Sequence, residues 1–166
     1  MKILAFDQAS RTSGWSVFEN GKLVTYGKFT VDDTDFGLRL QKIRNKVKSL
    51  IEVHAPDEVV FEDIQLQASQ GNNVDTFKKL AEVFGVIYEL VTELGIPNRA
   101  VLSTVWKSKL KLLHGTGQKR ESQKQEAQRW VTETYGVKPT QDESDAICIG
   151  MWASLTQPDK GFDWSE

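Results

Sequence analysis

The first strand-like stretch constrains the fold most, because it is apolar without a break and ends on a carboxylate. Residues 3–6 read Ile-Leu-Ala-Phe, and Asp7 follows directly. A run with no polar gap is typical of a strand buried on both faces of a sheet. A carboxylate at the end of such a strand is costly unless a cation lies nearby. Asp7 is therefore either a turn-capping residue or part of a charged site.

Two more strands are predicted directly after the first. Residues 14–19 read Gly-Trp-Ser-Val-Phe-Glu, and Asn20-Gly21 follows, which is the strongest short signal for a hairpin. Residues 22–31 alternate in the way a strand does. We therefore expect the first three strands to form an antiparallel meander.

An amphipathic helix over 36–54 leads to a fourth strand, Glu-Val-Val-Phe-Glu, over 58–62. A strand that follows a helical crossover should lie parallel to the first one. It also ends in carboxylates, Glu62 and Asp63, and only one of these can face a given side of the sheet. If the two strands are neighbours, Asp7 and Glu62 meet at one edge, where their charges repel without a cation.

The second half of the chain is predicted to begin with a polar loop over 65–73 and a helix with a broad apolar face over 74–94. A fifth strand over 99–105 and a further helix over 121–135 follow. A last helix begins after Thr140, because Thr140 and Glu143 have the spacing of a capping box. Asp142 and Asp145 share one face near its start. The helix dipole alone stabilises carboxylates there, but capping alone explains poorly why two aspartates face inward at a buried helix start.

Composition predicts one globular domain. The chain has 166 residues and 39% hydrophobic content, which fits a single domain over 1–156 with a loosely held tail over 157–166. We expect neither a membrane span nor a signal peptide. Cys148 is the only cysteine, which excludes an internal disulfide and favours a cytoplasmic location.

Charge is distributed unevenly. Net charge is −2, yet residues 99–129 hold eight basic and two acidic residues, so this span is +6 and the remainder is −8. A second basic run occupies 39–48. Such faces either track phosphates or are simply solvated. The Gly-Thr-Gly loop at 115–117 has the wrong spacing for a nucleotide P-loop, and a loop near DNA phosphates fits it better.

The element order and the carboxylate positions resemble the ribonuclease H-like nuclease and integrase fold. Within that fold the chain is similar to the RuvC family of Holliday-junction resolvases, as a phage-type member. The motifs lie in residues 6–10 with Gly14-Trp15, in 59–63 and in 142–146, and the resemblance covers about residues 1–155. It implies an α/β fold: a five-stranded mixed sheet, three strands antiparallel plus two parallel, flanked by helices.

The resemblance also implies a site. It makes Asp7, Glu62, Asp142 and Asp145 the metal ligands, favouring Glu62 over Asp63, for two Mg²⁺ ions with Mn²⁺ as a substitute. It places a basic residue near the scissile phosphate, for which Lys119 is the candidate. The candidate DNA contacts are Lys107, Lys109, Lys111, Lys119, Arg120, Lys124 and Gln65.

The function implied is paired, symmetric nicking of four-way DNA junctions by a homodimer, with the helix over 74–94 as the candidate interface. One residue departs from the pattern: cellular members carry an aromatic three residues after the strand-four glutamate, and this chain has Gln65. We therefore expect relaxed sequence specificity and activity on other branched DNA. The alternatives are a flap, single-strand or RNA–DNA hybrid nuclease of the same fold, and a non-catalytic junction-binding module.

Overall fold

The structure is a computed structural model that describes residues 1–65, 74–112 and 120–156. Within them, five strands and five helices follow one another as β1 (Lys2–Asp7), β2 (Thr12–Glu19), β3 (Lys22–Thr30), α1 (Phe36–His54), β4 (Glu58–Glu62), α2 (Val74–Glu93), β5 (Asn98–Val101), α3 (Ser103–Lys109), α4 (Arg120–Tyr135) and α5 (Gln141–Leu155). The predicted loop over 65–73, beyond residue 65, and the predicted tail over 157–166 lie outside the described residues.

The strands form one mixed sheet in the order β3-β2-β1-β4-β5. β1, β2 and β3 pair antiparallel, while β4 is parallel to β1 and β5 is parallel to β4. Asn20 and Gly21 form the turn between β2 and β3, both with positive φ, as a tight hairpin requires. The predicted mixed sheet, with its meander and two parallel strands, is confirmed.

Helices cover both faces of this sheet. On one face, Leu4 and Phe6 of β1 pack against buried residues of α1 and α2 such as Ile43 and Ile87. On the other face, Ile3 and Ala5 pack with residues of α3, α4 and α5. β1 is therefore buried on both sides, as its unbroken apolar run predicts.

The ends of α1 and α5 are fixed by local side-chain chemistry. Asp35 caps α1 by accepting a hydrogen bond from the Leu38 N–H at 2.9 Å, and Ala55 ends the helix with a left-handed backbone. Thr140 and Glu143 form the predicted capping box at the start of α5. Both helices thus begin where the sequence places them.

The fifth strand was predicted too long. It ends at Val101, and residues 103–109 form helix α3 instead. Trp106 and Leu110 are buried while Ser108 between them is exposed, which fits one face of a helix and not the alternation of a strand. The short partner β4 also offers too few residues for a longer ladder.

α4 and α2 each have one buried and one exposed face. Thr134 of α4 is exposed, and Tyr135 packs against the core. On α2, Val83 and Leu90 are buried, while Tyr88 remains 53% exposed. No helix in the described ranges combines the length and apolar character needed to cross a bilayer.

Candidate active site

Asp7 ends the central strand of the sheet. It lies opposite Gly14 in the β1–β2 ladder, one residue beyond the pair formed by Phe6 and Phe61 of β4. Side chains alternate along a strand, so Asp7 points to the same face as Ile3 and Ala5, which pack on the α5 side. The carboxylate therefore emerges between the sheet and α5.

Glu62 ends the neighbouring strand on the same face. Val60, two residues earlier, packs in the cluster that contains α5, so alternation directs Glu62 to this face and Asp63 to the other. A side-chain hydrogen bond joins the Asp7 and Glu62 carboxyl groups. The structure thus brings Glu62, and not Asp63, against Asp7.

Gln8 holds the backbone of Glu62 from the side of β1. Its amide Nε2 donates to the Glu62 carbonyl oxygen at 2.5 Å, and its Oε1 accepts from the Glu62 N–H at 3.0 Å. The Gln8 side chain is only 8% exposed. It thereby extends the β1–β4 pairing past the last backbone pair, at the point where the two carboxylates meet.

The start of α5 supplies the other two carboxylates. α5 packs directly on β2, where the Ser16 hydroxyl donates to the Ala146 carbonyl oxygen at 2.7 Å. The approach is closest at Gly14, where an added Cβ would lie 2.0 Å from the Asp142 carbonyl oxygen. Because Gly14 is paired with Asp7, this contact sets how near the start of α5 lies to the end of β1.

Burial and neighbouring negative charge shift the pKa of Asp7. Burial, the nearby charge of Glu62, their hydrogen bond and the charge of Asp142 together hold the pKa of Asp7 well above its usual value. The hydrogen bond between two carboxyl groups requires that they share a proton. Metal-free, this edge of the sheet is therefore protonated at pH values where ordinary aspartates are not.

Asp145 has the same character. Burial and the charge of Asp7, with a smaller effect of Asp142, raise the pKa of Asp145 to about 8. The charges of Glu62 and Asp142 act on the pKa of Asp7, and the charges of Asp7 and Asp142 act on the pKa of Asp145. The four predicted carboxylates thus lie within electrostatic range of one another, although they come from two strands and a helix.

Two lysines from α3 and α4 face this cluster. Lys107 and Lys124 both lower the pKa of Asp145, and Lys124 also lowers that of Asp7. Lys107 is held in place by a hydrogen bond to the Gln123 Oε1 at 3.2 Å and by the Trp106 ring below it. Both were predicted as DNA contacts, and the structure places their charges beside the carboxylates as well.

The donor set fits a hard divalent cation in its chemistry. All four groups are carboxylates, which are the ligands that Mg²⁺ and Mn²⁺ prefer, and burial together with the neighbouring carboxylates raises the pKa of Asp7. Among the described residues, no three His, Cys, Asp or Glu side chains surround a common point closely enough to hold an ion. Binding therefore requires these side chains to turn toward the ion.

The other predicted DNA contacts are spread more widely. Lys109 and Lys111 are exposed at the end of α3, and Gln65 is exposed just after β4. Lys119 and the side chain of Arg120 lie outside the described residues. The structure therefore brings Lys107 and Lys124 to the carboxylates and leaves Lys109, Lys111 and Gln65 on the surface.

The second basic run does not form a phosphate-tracking face along its whole length. Arg39 is 5% exposed, lies over the Phe36 ring and donates to the Ser10 carbonyl oxygen at 3.3 Å. Lys42 pairs with Asp33 at 2.8 Å, and Arg44 forms ion pairs with Glu89 and Glu93 of α2. Three of these five basic residues thus have structural partners.

Sequence reasoning missed two residues that shape the site. Gln8 follows Asp7 directly and Gly14 faces it across the ladder, and both stand within the motif that carries the family resemblance. A signal for Gly14 exists in principle, since a glycine inside a strand often marks a close backbone approach. The bonds of Gln8 reach 54 residues along the chain, and no local pattern encodes them.

The sheet topology and the carboxylate-lined edge define a ribonuclease H-like fold. A family model described as crossover junction endodeoxyribonuclease RuvC matches residues 3–152. The chain belongs to the RuvC family, whose members are metal-dependent nucleases that act as dimers on branched DNA.

Individual relatives agree with this assignment. The crossover junction endodeoxyribonuclease RuvC of Nitratidesulfovibrio vulgaris strain DP4 is 28% identical over 155 residues, covering 90% of this chain and 87% of the relative. Among solved structures, Thermus thermophilus RuvC in complex with a Holliday junction substrate has a TM-score of 0.71 at 17% identity, with 92% of each chain covered. The Fowlpox virus resolvase, in complex with Holliday junction DNA, has a TM-score of 0.61 at 14% identity and covers 95% of this chain and 100% of the resolvase chain.

Proposed function

We propose that this chain resolves four-way DNA junctions by paired symmetric nicks, through phosphodiester hydrolysis that depends on two Mg²⁺ ions, with Mn²⁺ as a substitute. The observation that carries the proposal is the meeting of Asp7, Glu62, Asp142 and Asp145 at one edge of the sheet, with two lysines facing them. Such a nuclease works where its DNA is, so we place it in the cytoplasm of a bacterial or phage-infected cell.

The residues have separate roles in this proposal. Asp7 ends the central strand, close to Glu62 and Asp142, and would hold a divalent ion together with them and Asp145. Divalent ions held here supply an activated water and neutralise charge on the leaving oxygen. Lys107 and Lys124 would stabilise negative charge that builds on the phosphate, which is the role that the family resemblance assigns to Lys119.

Neighbouring carboxylates at the end of β4 allow a matched test. We expect Glu62→Gln to lose at least about a hundredfold in the rate of junction nicking with Mg²⁺, while Asp63→Asn stays within about threefold of wild type, because Asp63 faces away from Asp7. Asp7→Asn and EDTA should both abolish nicking. The assay follows paired nicks in a synthetic four-way junction beside flap, single-stranded and RNA–DNA hybrid substrates.

Each alternative predicts a different result in the same assay. Tight junction binding without any nick under Mg²⁺ or Mn²⁺ would leave a non-catalytic junction-binding module. Faster cutting of flaps, single strands or hybrids than of junctions would make the chain a different nuclease of the same fold. Equal loss in Glu62→Gln and Asp63→Asn would contradict the assignment of Glu62.

Relaxed sequence specificity is the second part of the proposal. Gln65 lies exposed three residues after Glu62, where it offers no aromatic ring to stack on a base at the junction. We expect the wild type to cut junctions of different sequence at similar rates, and Gln65→Phe to gain a preference among them. Gln65→Leu is the control, since it is apolar but cannot stack. Strict sequence preference in the wild type would contradict this part.

A further inference from the structure

We propose that Gln8 is a positioning residue that sets the metal affinity of the site by fixing Glu62 beside Asp7. The inference rests on the proposed function and assigns a role to a residue that makes no contact with an ion itself. Its basis is the pair of hydrogen bonds between the Gln8 amide and the Glu62 backbone.

The geometry makes the Gln8 amide a substitute for a peptide group. It donates to the Glu62 carbonyl and accepts from the Glu62 N–H, which is how a neighbouring strand would satisfy one residue of a parallel ladder. β1 ends at Asp7, and its register with β4 runs only to Phe6 and Phe61. The two bonds from Gln8 continue the contact between β1 and β4 past their last backbone pair.

The two hydrogen bonds from Gln8 to Glu62, called the Gln8 clamp below, act against the repulsion between the Asp7 and Glu62 carboxylates. Asp7 and Glu62 end neighbouring parallel strands on one face of the sheet, so their charges repel when both groups are ionised. When the carboxylates are ionised and no cation is present, repulsion favours a Glu62 that moves away. Two hydrogen bonds to its backbone oppose that movement and hold the ligand ready for the ion.

Only an amide of this length serves both bonds. A carboxylate in its place can accept from the Glu62 N–H but cannot donate to the carbonyl, and it adds a negative charge to the site. A methionine has similar length and fills the space, but it forms neither bond. Gln8→Met therefore tests the Gln8 clamp with little change in volume and no change in charge.

The same pair of strands offers a matched control at its other end. There the Asp57 carboxylate accepts a hydrogen bond from the Lys2 N–H at 2.7 Å, so a side chain again ties β1 to the segment that leads into β4. Asp57→Ala removes this tie at the opposite end of the sheet from Asp7. A purely structural role for Gln8 would make the two variants behave alike.

The experiment measures Mn²⁺ binding to the protein without DNA by calorimetry, and the Mg²⁺ concentration that gives half-maximal junction nicking. We expect Gln8→Met to weaken Mn²⁺ binding and to raise the half-maximal Mg²⁺ concentration by about tenfold, the low end for the loss of a ligand's supporting partner. Nicking at saturating Mg²⁺ should recover to within a few fold of wild type. Asp57→Ala should leave both metal values unchanged.

The outcomes separate this inference from the proposed function. Unchanged metal values in Gln8→Met, or equal shifts in Asp57→Ala, would overturn the role of Gln8 while the nuclease assignment stands. A wild type that binds Mn²⁺ but never nicks would overturn the proposed function alone. If Gln8→Met does not fold, Gln8→Leu replaces it, because it also forms neither bond and adds no charge, and the same shift is expected.

Discussion

Asp145 illustrates the conflict between function and stability at the scale of a residue. Its pKa of about 8 means that the folded, metal-free protein binds a proton there that the unfolded chain has already released. Because the folded pKa is raised, the stabilising effect is complete below about pH 4 and is lost as pH rises toward 8. The functional carboxylate therefore destabilises the metal-free protein at neutral and higher pH.

We predict that Asp145→Asn stabilises the metal-free protein at pH 8, by roughly 1–3 kcal/mol or several degrees in Tm, and changes little near pH 4. The physical reason is that asparagine cannot acquire the charge that burial and Asp7 oppose. Thermal unfolding in EDTA from pH 4 to pH 9 measures the difference.

If the Tm values of the wild type and the variant change with pH in parallel over this range, the result would contradict the raised pKa of Asp145. The same variant should lose junction nicking, which separates the gain in stability from any gain in activity. Asp7 keeps its own raised pKa in the variant, so the remaining Tm should still fall with pH, but less steeply.

At the scale of an element, the contact between α5 and β2 decides whether the carboxylates meet. Gly14 lets the Asp142 backbone approach to a distance that no Cβ allows. Any side chain there must push the start of α5 outward until its Cβ no longer overlaps the Asp142 carbonyl group. Asp142 and Asp145 would then move away from Asp7, while the sheet itself would keep its pairing.

We predict that Gly14→Ala lowers the rate of nicking by at least about tenfold, because a displacement near 1 Å at a catalytic centre has large effects. Gly27→Ala is the control, since its Cβ would meet the Trp15 ring at 2.7 Å, on the side of the sheet that α1 covers. Both variants should lose stability, but Gly27→Ala should keep its nicking rate below its Tm. The comparison needs Tm by calorimetry and nicking at one permissive temperature.

Proportional loss of activity and stability in both glycine variants would argue against a special role for Gly14. A loss of nicking confined to Gly14→Ala would support α5 placement as the determinant of the site.

At the scale of the whole molecule, α2 presents apolar surface that the described part of the chain leaves uncovered. Tyr88 is 53% exposed and stacks on Phe84, with ring centroids 6.2 Å apart, and Val74 is 70% exposed. A four-way junction has strands related by two-fold symmetry, so a symmetric dimer places one site on each. We propose α2 as the contact between the two copies.

We predict that Tyr88→Lys converts the dimer to a monomer, since two lysines would meet at the symmetry axis or near it, and that paired nicks give way to single ones. Val53→Lys is the control, because Val53 is 73% exposed on α1. Analytical ultracentrifugation measures the mass, and a cruciform plasmid distinguishes paired from single nicks. A dimer that survives Tyr88→Lys would move the interface away from this part of α2.

Much of the fold followed from local patterns in the sequence. The unbroken run before Asp7 indicated a strand buried on both faces, and the Thr140–Glu143 spacing indicated where α5 begins. Each of these signals is contained within a few neighbouring residues, so it does not depend on how distant segments pack. Residue alternation also meant that only one of Glu62 and Asp63 could face Asp7. The family resemblance favoured Glu62, and in the structure it is Glu62 that lies beside Asp7.

The sequence by itself thus determined most of the strands and helices, α3 excepted, and which carboxylates stand at their ends. Only the tertiary structure decided that Gln8 clamps Glu62, that Gly14 admits α5 and that Lys107 and Lys124 face the carboxylates. It also buried Arg39 and turned residues 103–109 into a helix. The physical reason is one of range: periodicity and capping act within a turn or a strand, whereas these contacts depend on how segments far apart in the chain pack together.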